Sequence, residues 1–386
     1  MAHTSLLYTL FTSLTVALAA SVRHTDYEVM IIGGGPSGLS AASGLSRVRR
    51  KNVVFDSGEY RNAPTRNMHD VIGNDGAVPS DFRALARSQI SKYNQTTWVN
   101  EKVDSVRVIS DEERNTTYFR ASVAGEAYTA RKLILGTGMK DILPETPGLD
   151  EAWGKGVYWC PWCDGWEHRD QPFGILGSLV DVVGSVLEVY TLNTDIIAFV
   201  NGTQTPEAEA KLADKYPNWK KQLEEYNVVL NNETIESIER LQNGEDVHDD
   251  EGRQFDIFRV NLADGSSVIR NAFITNFPSE QRSSIPEDLG LKMQDNKIDT
   301  NINGMRTSLP GVFAVGDANS DGSTNVPHAM FSGKRAAVFV HVEMAREESR
   351  AAVSKRTLPS KRAMEKEAER RMGSDLEKLW ERFRRV

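Results

Sequence analysis

The chain contains two cysteines, Cys160 and Cys163, which are separated by two residues. This spacing is the feature of the sequence that most clearly indicates a reactive site. A disulfide between them would close a very short loop and remove little conformational entropy from the unfolded chain. Stabilisation is therefore a weak reason for the pair, and reversible redox chemistry is a better one. Pro161 and a helix start at this point would lower a thiol pKa, and the thiolate is the species that attacks a disulfide.

A metal site is the alternative use of these cysteines. Zinc would need two further ligands, brought from His69, His168 or His328, and with no other cysteine we expect no metal ion. Two cysteines also exclude a framework of several disulfides and a four-cysteine zinc or iron–sulfur site within one chain.

Three tryptophans, Trp159, Trp162 and Trp166, surround the cysteines. Core packing is the simplest explanation, and we favour it for Trp166. A flat aromatic surface beside a thiol would equally suit a small or peptide thiol, which needs apolar contact and few hydrogen bonds. We interpret His168 as a surface or structural histidine rather than a base.

A glycine-rich turn, Gly33 to Gly38, is the second candidate site. An apolar run from Glu28 to Ile32 precedes it, an Ala/Leu-rich helical pattern follows, and Asp56 ends the next apolar run. This order predicts strand, tight turn, helix and strand. It is the context in which such a turn binds a dinucleotide.

The residues of this turn have separate expected roles. Gly33 would make the turn, Gly35 would let the backbone approach a pyrophosphate, and Gly38 would let the helix pack on the strand. Pro36 and Ser37 open the helix, whose free N–H groups and dipole favour an anion. The carboxylate of Asp56 stands where a ribose-binding group is needed.

Two further strand patterns end in small residues. Lys132 to Leu135 leads into Gly136-Thr137-Gly138, and an apolar strand from Gly311 leads into Gly316-Asp317, with a helix predicted from Val326 to Glu343. Pro144 and Pro147 form a plausible hinge before a middle region with its own strands and helices. The chain thus leaves a first domain, builds a second and returns.

From Tyr27 to about Glu343, these motifs resemble the low-molecular-weight thioredoxin reductase family of flavoproteins. The resemblance implies an α/β fold of two Rossmann-like, three-layer ββα domains, with FAD as cofactor and a homodimer. It places a discontinuous FAD domain at residues 25–143 and 277–345. Residues 144–276 would be an inserted, nicotinamide-domain-like module with the cysteine pair.

The same resemblance implies roles for single residues. Cys160 would be the outward interchange thiol, Cys163 would lie against the flavin, and Asp164 would be the acid that moves protons during exchange. His328, at a helix start near the flavin pyrimidine, could stabilise reduced-flavin charge or shuttle protons. The FAD-binding residues would be those of the glycine turn with Asp56, Gly138, Gly316 and Asp317.

The inserted module departs from the family where NADPH should bind. Leu176 and Ser178 replace glycines of the second fingerprint, and Asp181 stands where a small residue is expected. After the next strand comes Asn201 instead of an arginine pair for a 2′-phosphate. A carboxylate near a pyrophosphate adds repulsion, so the sequence argues against tight NADPH binding.

These departures favour a FAD-dependent thiol oxidase that converts thiols to disulfides and passes electrons to O2, giving H2O2. The sequence here resembles secreted fungal sulfhydryl oxidases and the dithiol oxidases of epipolythiodioxopiperazine pathways. An NADPH-dependent disulfide reductase and a redox-inactive flavin-binding module are the alternatives.

The ends of the chain indicate a secretory route. Residues 1–20 are typical of a cleaved signal peptide, with an uncleaved anchor as the alternative. Four glycosylation sequons agree with this route, at Asn94, Asn115, Asn201 and Asn232. We therefore expect a secreted glycoprotein that is free of the membrane after cleavage. The charged extension 346–386 has dibasic pairs at 355–356 and 361–362, at which processing is expected.

Composition limits the partners further. The chain has 386 residues and a formal net charge of −8, long enough for two packed domains. A net negative chain is a poor binder of a phosphate backbone, so we exclude nucleic acid as a main partner.

Overall fold

The computed structural model describes residues 25–112, 116–322 and 324–355. The predicted signal peptide, the sequon at Asn115 and the dibasic pair at 361–362 lie outside these residues. The chain divides into two compact units, Met1–Phe339 and Val340–Val386, and all sheets lie in the first. Among the described helices, none combines the length and the apolar character needed to cross a bilayer.

The first part of the chain forms a mixed sheet with helices. Its elements are β1 Tyr27–Ile32, α1 Pro36–Arg47, β2 Asn52–Phe55, α2 Pro79–Ser91, β3 Thr96–Val99, β4 Ser105–Asp111, β5 Thr116–Val123, β6 Glu126–Leu135 and β7 Met139–Asp141. The last four residues of β1 and all of β2 are buried, which is why these strands read as continuous apolar runs.

A second set of elements follows β7. They are α3 Leu149–Ala152, β8 Val157–Tyr158, α4 Pro161–Asp164, a 3-10 turn Trp166–His168, β9 Phe173–Leu176, α5 Leu179–Val189, β10 Ile196–Phe199, α6 Pro206–Lys215, α7 Trp219–Glu225, β11 Val228–Asn231, β12 Ile235–Gln242, β13 Ile257–Leu262, β14 Ser267–Arg270 and β15 Ala272–Thr275.

The chain then returns to the first sheet. The remaining elements are β16 Ser279–Gln281, α8 Ile285–Asp288, β17 Met293–Gln294, β18 Lys297–Ile298, β19 Val312–Ala314, a 3-10 turn Gly316–Ala318 and α9 Val326–Lys355. Helix α9 is longer than the predicted Val326 to Glu343. The reason is that Ala, Arg and Glu continue after the apolar pattern stops, and these residues favour a helix.

Two similar sheet systems result, as the predicted fold class requires. In the first, the order β3-β2-β1-β6 is parallel, and β19 pairs with the carboxyl half of β6. The amino half of β6 continues into the antiparallel strands β5 and β4. In the second, the parallel order is β11-β10-β9-β15-β8, beside the antiparallel sheet β12-β13-β14. Strands β7 and β16 pair where the chain passes between the two systems. The predicted boundaries at 143/144 and 276/277 lie close to these strands and stay predictions.

Candidate active site

An open cavity lies at the carboxyl ends of β1, β2 and β6. Its walls include the glycine turn, Asp56, residues 136–139, Asp317 and Trp159. The cavity also lies at the sheet edge where open α/β folds bind their ligands.

The glycine turn has the geometry that a nucleotide site requires. Gly33 has φ +112°, and a Cβ there would lie 2.0 Å from the carbonyl oxygen of Gly136. A Cβ on Gly38 would lie 1.9 Å from the carbonyl oxygen of Gly33, so helix and strand are in backbone contact. Gly35 faces open space, and no side chain caps the start of α1. The backbone can therefore approach an anion here.

Asp56 is buried and already has protein partners. Its carboxylate accepts hydrogen bonds from the hydroxyl of Tyr60 at 2.6 Å and from Arg87 at 3.4 Å. Burial, with help from this hydrogen bond, raises the pKa of Tyr60 to about 12. A Cβ on Gly34 would collide with the same carboxylate, at 2.0 Å from Oδ2. No role was predicted for Tyr60 or Arg87, because no motif contains them. Gly34 lies within the glycine turn, but the fingerprint gives roles only to Gly33, Gly35 and Gly38.

Two buried polar atoms in the cavity wall have no hydrogen-bond partner, Oγ1 of Thr137 and Nε1 of Trp159. Unsatisfied buried polar groups are costly, and a bound ligand can satisfy them. Together with the open turn at Gly35, they fit a nucleotide cofactor. Among the described residues, no group of three or more His, Cys, Asp or Glu could hold a metal ion.

Cys160 and Cys163 form a disulfide at the start of what we call the redox turn, residues 160–168. Cys160 is the N-cap of α4, and its carbonyl accepts a hydrogen bond from the backbone N–H of Cys163 at 3.1 Å. Both cysteines are half-buried, so exposure does not distinguish an outward thiol from an inner one. Neither lines the cavity, whereas Trp159, directly before Cys160, does. The position of Cys163 against a flavin stays a prediction.

Asp164 directly follows the disulfide, and its carboxyl has a raised pKa. Burial, reinforced by the charge of Glu167, raises its pKa to about 7, although His168, His69 and Arg66 act in the opposite direction. A carboxyl with this pKa can take up and release a proton near neutral pH. This is the property that the predicted acid needs.

Trp159 connects the redox turn to the cavity through Arg61. The indole stacks on Trp153 with ring centroids 5.0 Å apart, and the guanidinium of Arg61 lies 4.9 Å from its ring. Arg61 donates hydrogen bonds of 2.9 Å to Asp141 and to Asp317. Asp317, predicted to bind the cofactor, is thus already paired. Arg61 has no motif of its own, and its partners lie 80 and 256 residues away.

The prediction of a core position for Trp166 is wrong. Trp166 is 60% exposed and Trp162 is 65% exposed. The four-residue spacing places both on the outer side of the redox turn, while Glu167 and His168 fill the inner side. Arg169 covers one face of Trp166 at 4.0 Å.

The two predicted histidines have different surroundings. His168 is a structural residue and not a surface one: it is 2% exposed, with Nδ1 2.9 Å from the carbonyl oxygen of Asp164 and Nε2 3.2 Å from Asp256. His328 lies in the first turn of α9, as predicted, but its side chain is exposed. Its neighbours Val326 and Ala329 line the cavity, and His328 itself does not.

The start of α5, where the second fingerprint would hold a pyrophosphate, already has an internal partner. The backbone N–H of Leu179 donates to Oγ1 of Thr203 at 3.0 Å, and this hydroxyl donates to the carbonyl of Val200. Asn201 accepts a hydrogen bond from the N–H of Ile235 at 2.8 Å. The backbone N–H groups at the start of α1 therefore have no side-chain cap, whereas one N–H at the start of α5 already has an acceptor.

Comparisons with known proteins agree with this architecture. The family model described as pyridine nucleotide-disulphide oxidoreductase matches residues 27–333. A "Probable thioredoxin reductase" of Arthroderma benhamiae is 54% identical, with 92% of this chain and 91% of the relative covered. "Thioredoxin reductase tcpT" of Claviceps purpurea is 32% identical over 79% of this chain and 90% of the relative.

Solved structures show the same fold. The crystal structure of HlmI superimposes with a TM-score of 0.73 at 28% identity, covering 85% of this chain and 96% of HlmI. An oxidoreductase from Agrobacterium tumefaciens gives a TM-score of 0.69 at 27% identity, covering 83% and 98%. The chain therefore belongs to the pyridine nucleotide-disulphide oxidoreductase family, and it is a thioredoxin reductase-like flavoprotein with a Cys160–Cys163 disulfide.

Proposed function

We propose that this protein is a FAD-dependent thiol oxidase that converts thiols to disulfides at Cys160–Cys163 and uses O2 as the final acceptor, giving H2O2. One observation carries the proposal: the disulfide and its acid are present, while the first N–H of the helix that would bind NADPH already donates to Thr203. Electrons that cannot come from a nicotinamide must come from the thiol side.

FAD would be held by the residues around the cavity. The open backbone at Gly35 and the start of α1 suit its pyrophosphate, and Thr137 and Trp159 offer unpaired polar atoms. When bound, FAD supplies the two-electron chemistry that links a dithiol to oxygen. Gly138 and Asp317 also lie in the cavity wall, in agreement with their expected role.

The protein's own groups carry out the thiol exchange. A substrate thiol gives its proton to the carboxylate of Asp164, and the resulting thiolate attacks the disulfide. A second substrate thiol then resolves the mixed disulfide, so two thiols become one disulfide and the protein disulfide becomes a dithiol.

The charge of the inserted module supports the same direction of electron flow. No Lys or Arg occurs from residue 195 to residue 210, the stretch in which a 2′-phosphate would be recognised. Asp181 adds an exposed carboxylate in the first turn of α5. Both features disfavour a phosphate-bearing nicotinamide.

An NADPH-dependent disulfide reductase is the second candidate, because several relatives are named thioredoxin reductase. One experiment separates the two. Purified yellow holoenzyme is made anaerobic, mixed with NADPH in one cuvette and with dithiothreitol or glutathione in another, and air is then admitted. Loss of flavin colour with thiol alone, followed by stoichiometric peroxide, supports the oxidase. Loss of colour with NADPH supports the reductase, and no loss with either supports a redox-inactive module.

Secretion and dimerisation belong to the same proposal. Three of the four sequon asparagines, Asn94, Asn201 and Asn232, are exposed, which glycosylation requires. The expected secreted glycoprotein would lose mass on treatment with an endoglycosidase. The homodimer is expected from the family resemblance and is tested by sedimentation of the secreted enzyme. Intracellular, unmodified protein would contradict the secretory part.

A further inference from the structure

The redox turn carries two exposed indoles next to the disulfide. Trp162 lies between the two cysteines in the chain and is 65% exposed, and Trp166 is 60% exposed. The preceding tryptophan, Trp159, stacks on Trp153 instead. Tryptophan is among the residues that contribute most to binding surfaces. The two exposed rings are therefore placed to contact a molecule that reacts at the disulfide.

The two rings, which we call the indole pair, have a definite spacing. Trp162 lies in α4 and Trp166 begins the following 3-10 turn, so they lie on the same side of the redox turn. Four helical residues advance about 6 Å along the axis. Alternate side chains of an extended peptide lie on one face about 6–7 Å apart. The indole pair thus matches two alternate side chains of an extended segment.

One ring of the indole pair is held in place by the protein. The guanidinium of Arg169 lies 4.0 Å from the centre of the Trp166 ring and donates a hydrogen bond of 2.8 Å to the Trp166 carbonyl. Arg169 is itself paired with Glu251 at 3.2 Å. A side chain that is already ordered loses less conformational entropy when it binds a partner.

A loop of the inserted module packs against the redox turn. This acidic loop, residues 243–254, lies between β12 and β13. The backbone N–H of Gln254 donates to the carbonyl of Glu167 at 2.7 Å, and Glu251 pairs with the guanidinium that covers Trp166. The acidic loop therefore borders the same side of the redox turn as the indole pair.

The charge of this surface is strongly negative. The acidic loop contains five acidic residues and one arginine, Arg253, which pairs with Asp249 at 2.7 Å. Asp246 and Asp250 are exposed. No Lys or Arg occurs from residue 156 to residue 168. A cationic substrate is therefore attracted to this surface, and an anionic one such as glutathione is repelled.

We propose that the substrate thiol is a cysteine of an extended peptide segment with aromatic and basic neighbours, bound by the indole pair and selected for positive charge by the acidic loop. The proposal rests on the proposed function, because it requires that thiols reduce the protein disulfide. Two peptide cysteines lose two electrons and two protons and become one disulfide. The protein disulfide gains the electrons, and its two cysteine thiolates take up the protons.

The test measures how fast matched peptides reduce the holoenzyme without oxygen, by stopped-flow loss of flavin colour. The probes are the blocked pentapeptides Lys-Phe-Cys-Phe-Lys, Lys-Ser-Cys-Ser-Lys and Glu-Phe-Cys-Phe-Glu, with dithiothreitol as reference. Each rate is divided by the measured thiolate fraction of the peptide, because neighbouring charges shift a thiol pKa. We expect the first peptide to be about tenfold faster than the second. It should also be about tenfold faster than the third at low salt, and this difference should shrink at about 0.5 M salt.

Variants of the chain separate the two parts of the surface. Trp162→Ala and Trp166→Ala should each lower the ratio of the rate with Lys-Phe-Cys-Phe-Lys to the rate with dithiothreitol by about fivefold, and the Phe variants should lower it less. Tyr93→Ala is the control, a 40% exposed aromatic of the first sheet system. The double variant Asp246→Asn/Asp250→Asn should reduce the preference for Lys over Glu peptides and keep the preference for Phe over Ser.

The outcomes also distinguish this proposal from the preceding one. An unchanged ratio in both Trp→Ala variants, or equal rates for the Lys and Glu peptides at low salt, would refute it while the oxidase stands. If phenylmethanethiol depends on the indole pair and the peptides do not, the occupant is a small apolar thiol and the peptide proposal fails. It also fails if the Trp variants change the sedimentation of the holoenzyme, because a second copy then covers the surface. If no thiol reduces wild-type holoenzyme, dithiothreitol included, the proposed function itself is wrong.

Discussion

Replacing Asp256 by Asn tests the contact between the inserted module and the loop at residues 57–78, which connects β2 to α2. The Asp256 carboxylate is fully buried, and Arg66 donates to it through two N–H groups at 2.9 Å. Arg240, Nε2 of His168 and the backbone N–H of Gly244 contact the same carboxylate. Asparagine has nearly the same shape but no charge, so two guanidinium groups would face a neutral amide.

The expected cost follows from the burial of these charges. Removing one partner of a buried ion pair destabilises by about 3–5 kcal/mol, because the other charge is left without compensation. For a large domain, about 3 kcal/mol corresponds to a fall in Tm of roughly 6–12 °C. We therefore expect the Tm of Asp256→Asn holoenzyme to be at least about 6 °C below that of wild type, as measured by far-UV circular dichroism.

Asp249→Asn is the matched control in the same module. Asp249 forms an ion pair of 2.7 Å with Arg253, four residues away, at the surface. Pairs of this kind contribute little, so the control should melt close to wild type. Equal melting temperatures for Asp256→Asn and Asp249→Asn would refute the argument that the Asp256 contact holds the two domains together.

The pH dependence of Asp256→Asn has a defined sign. Burial alone would raise the pKa of Asp256, but hydrogen bonds from His168, Arg66 and Gly244 outweigh it and hold the pKa well below its ordinary value. A carboxyl with a lowered pKa stabilises the fold above its unfolded pKa of about 3.9, and this stabilisation is lost as the pH falls towards the folded value. The difference in the free energy of unfolding between wild type and Asp256→Asn should thus be constant above about pH 5 and should become smaller below about pH 4.

Three further predictions concern single residues. Asp164→Asn should be more stable than wild type at about pH 8, because the pKa of Asp164 in the folded protein, about 7, lies above its unfolded value of about 3.9. In thermal melts, this difference in stability should begin to fall below about pH 7 and should vanish near pH 4. Gly38→Ala should purify with less flavin per chain, measured by absorbance, because its Cβ would meet the carbonyl of Gly33; an unchanged ratio would contradict this. Thr203→Val should lose about 1–3 kcal/mol in urea unfolding, because the N–H of Leu179 loses its acceptor; no change would show that water replaces the hydroxyl.

Local patterns predicted the local parts of the site well. The strand, turn, helix and strand from Tyr27 to Phe55 follow from apolar runs separated by glycines, and the structure confirms them to within a residue or two. The turn conformation of Gly33 and the close approach at Gly38 follow from the same stretch of chain. The information needed lies within about thirty residues.

Contacts between distant segments could not be predicted in this way. Arg61 meets Asp317 across 256 residues, and Arg66 meets Asp256 across 190. The error at Trp166 has the same origin. The inner side of the redox turn is fixed by His168 and its contact with Asp256, 88 residues later, and no periodicity in a nine-residue turn reveals which side that is.

The two sheet systems contain the same element with different surroundings, and this difference bears on the direction of electron flow. In each, a helix follows the carboxyl end of a central parallel strand: α1 after β1, and α5 after β9. At α1 the glycine turn leaves the helix start open to a large cavity, whereas at α5 the hydroxyl of Thr203 accepts the first N–H. A nicotinamide bound at α5 would have to displace that hydroxyl and approach Asp181 without a compensating arginine. Electrons that enter from a substrate thiol avoid this cost, because the disulfide already lies in a half-buried turn and Asp164 follows it in the chain as a proton acceptor.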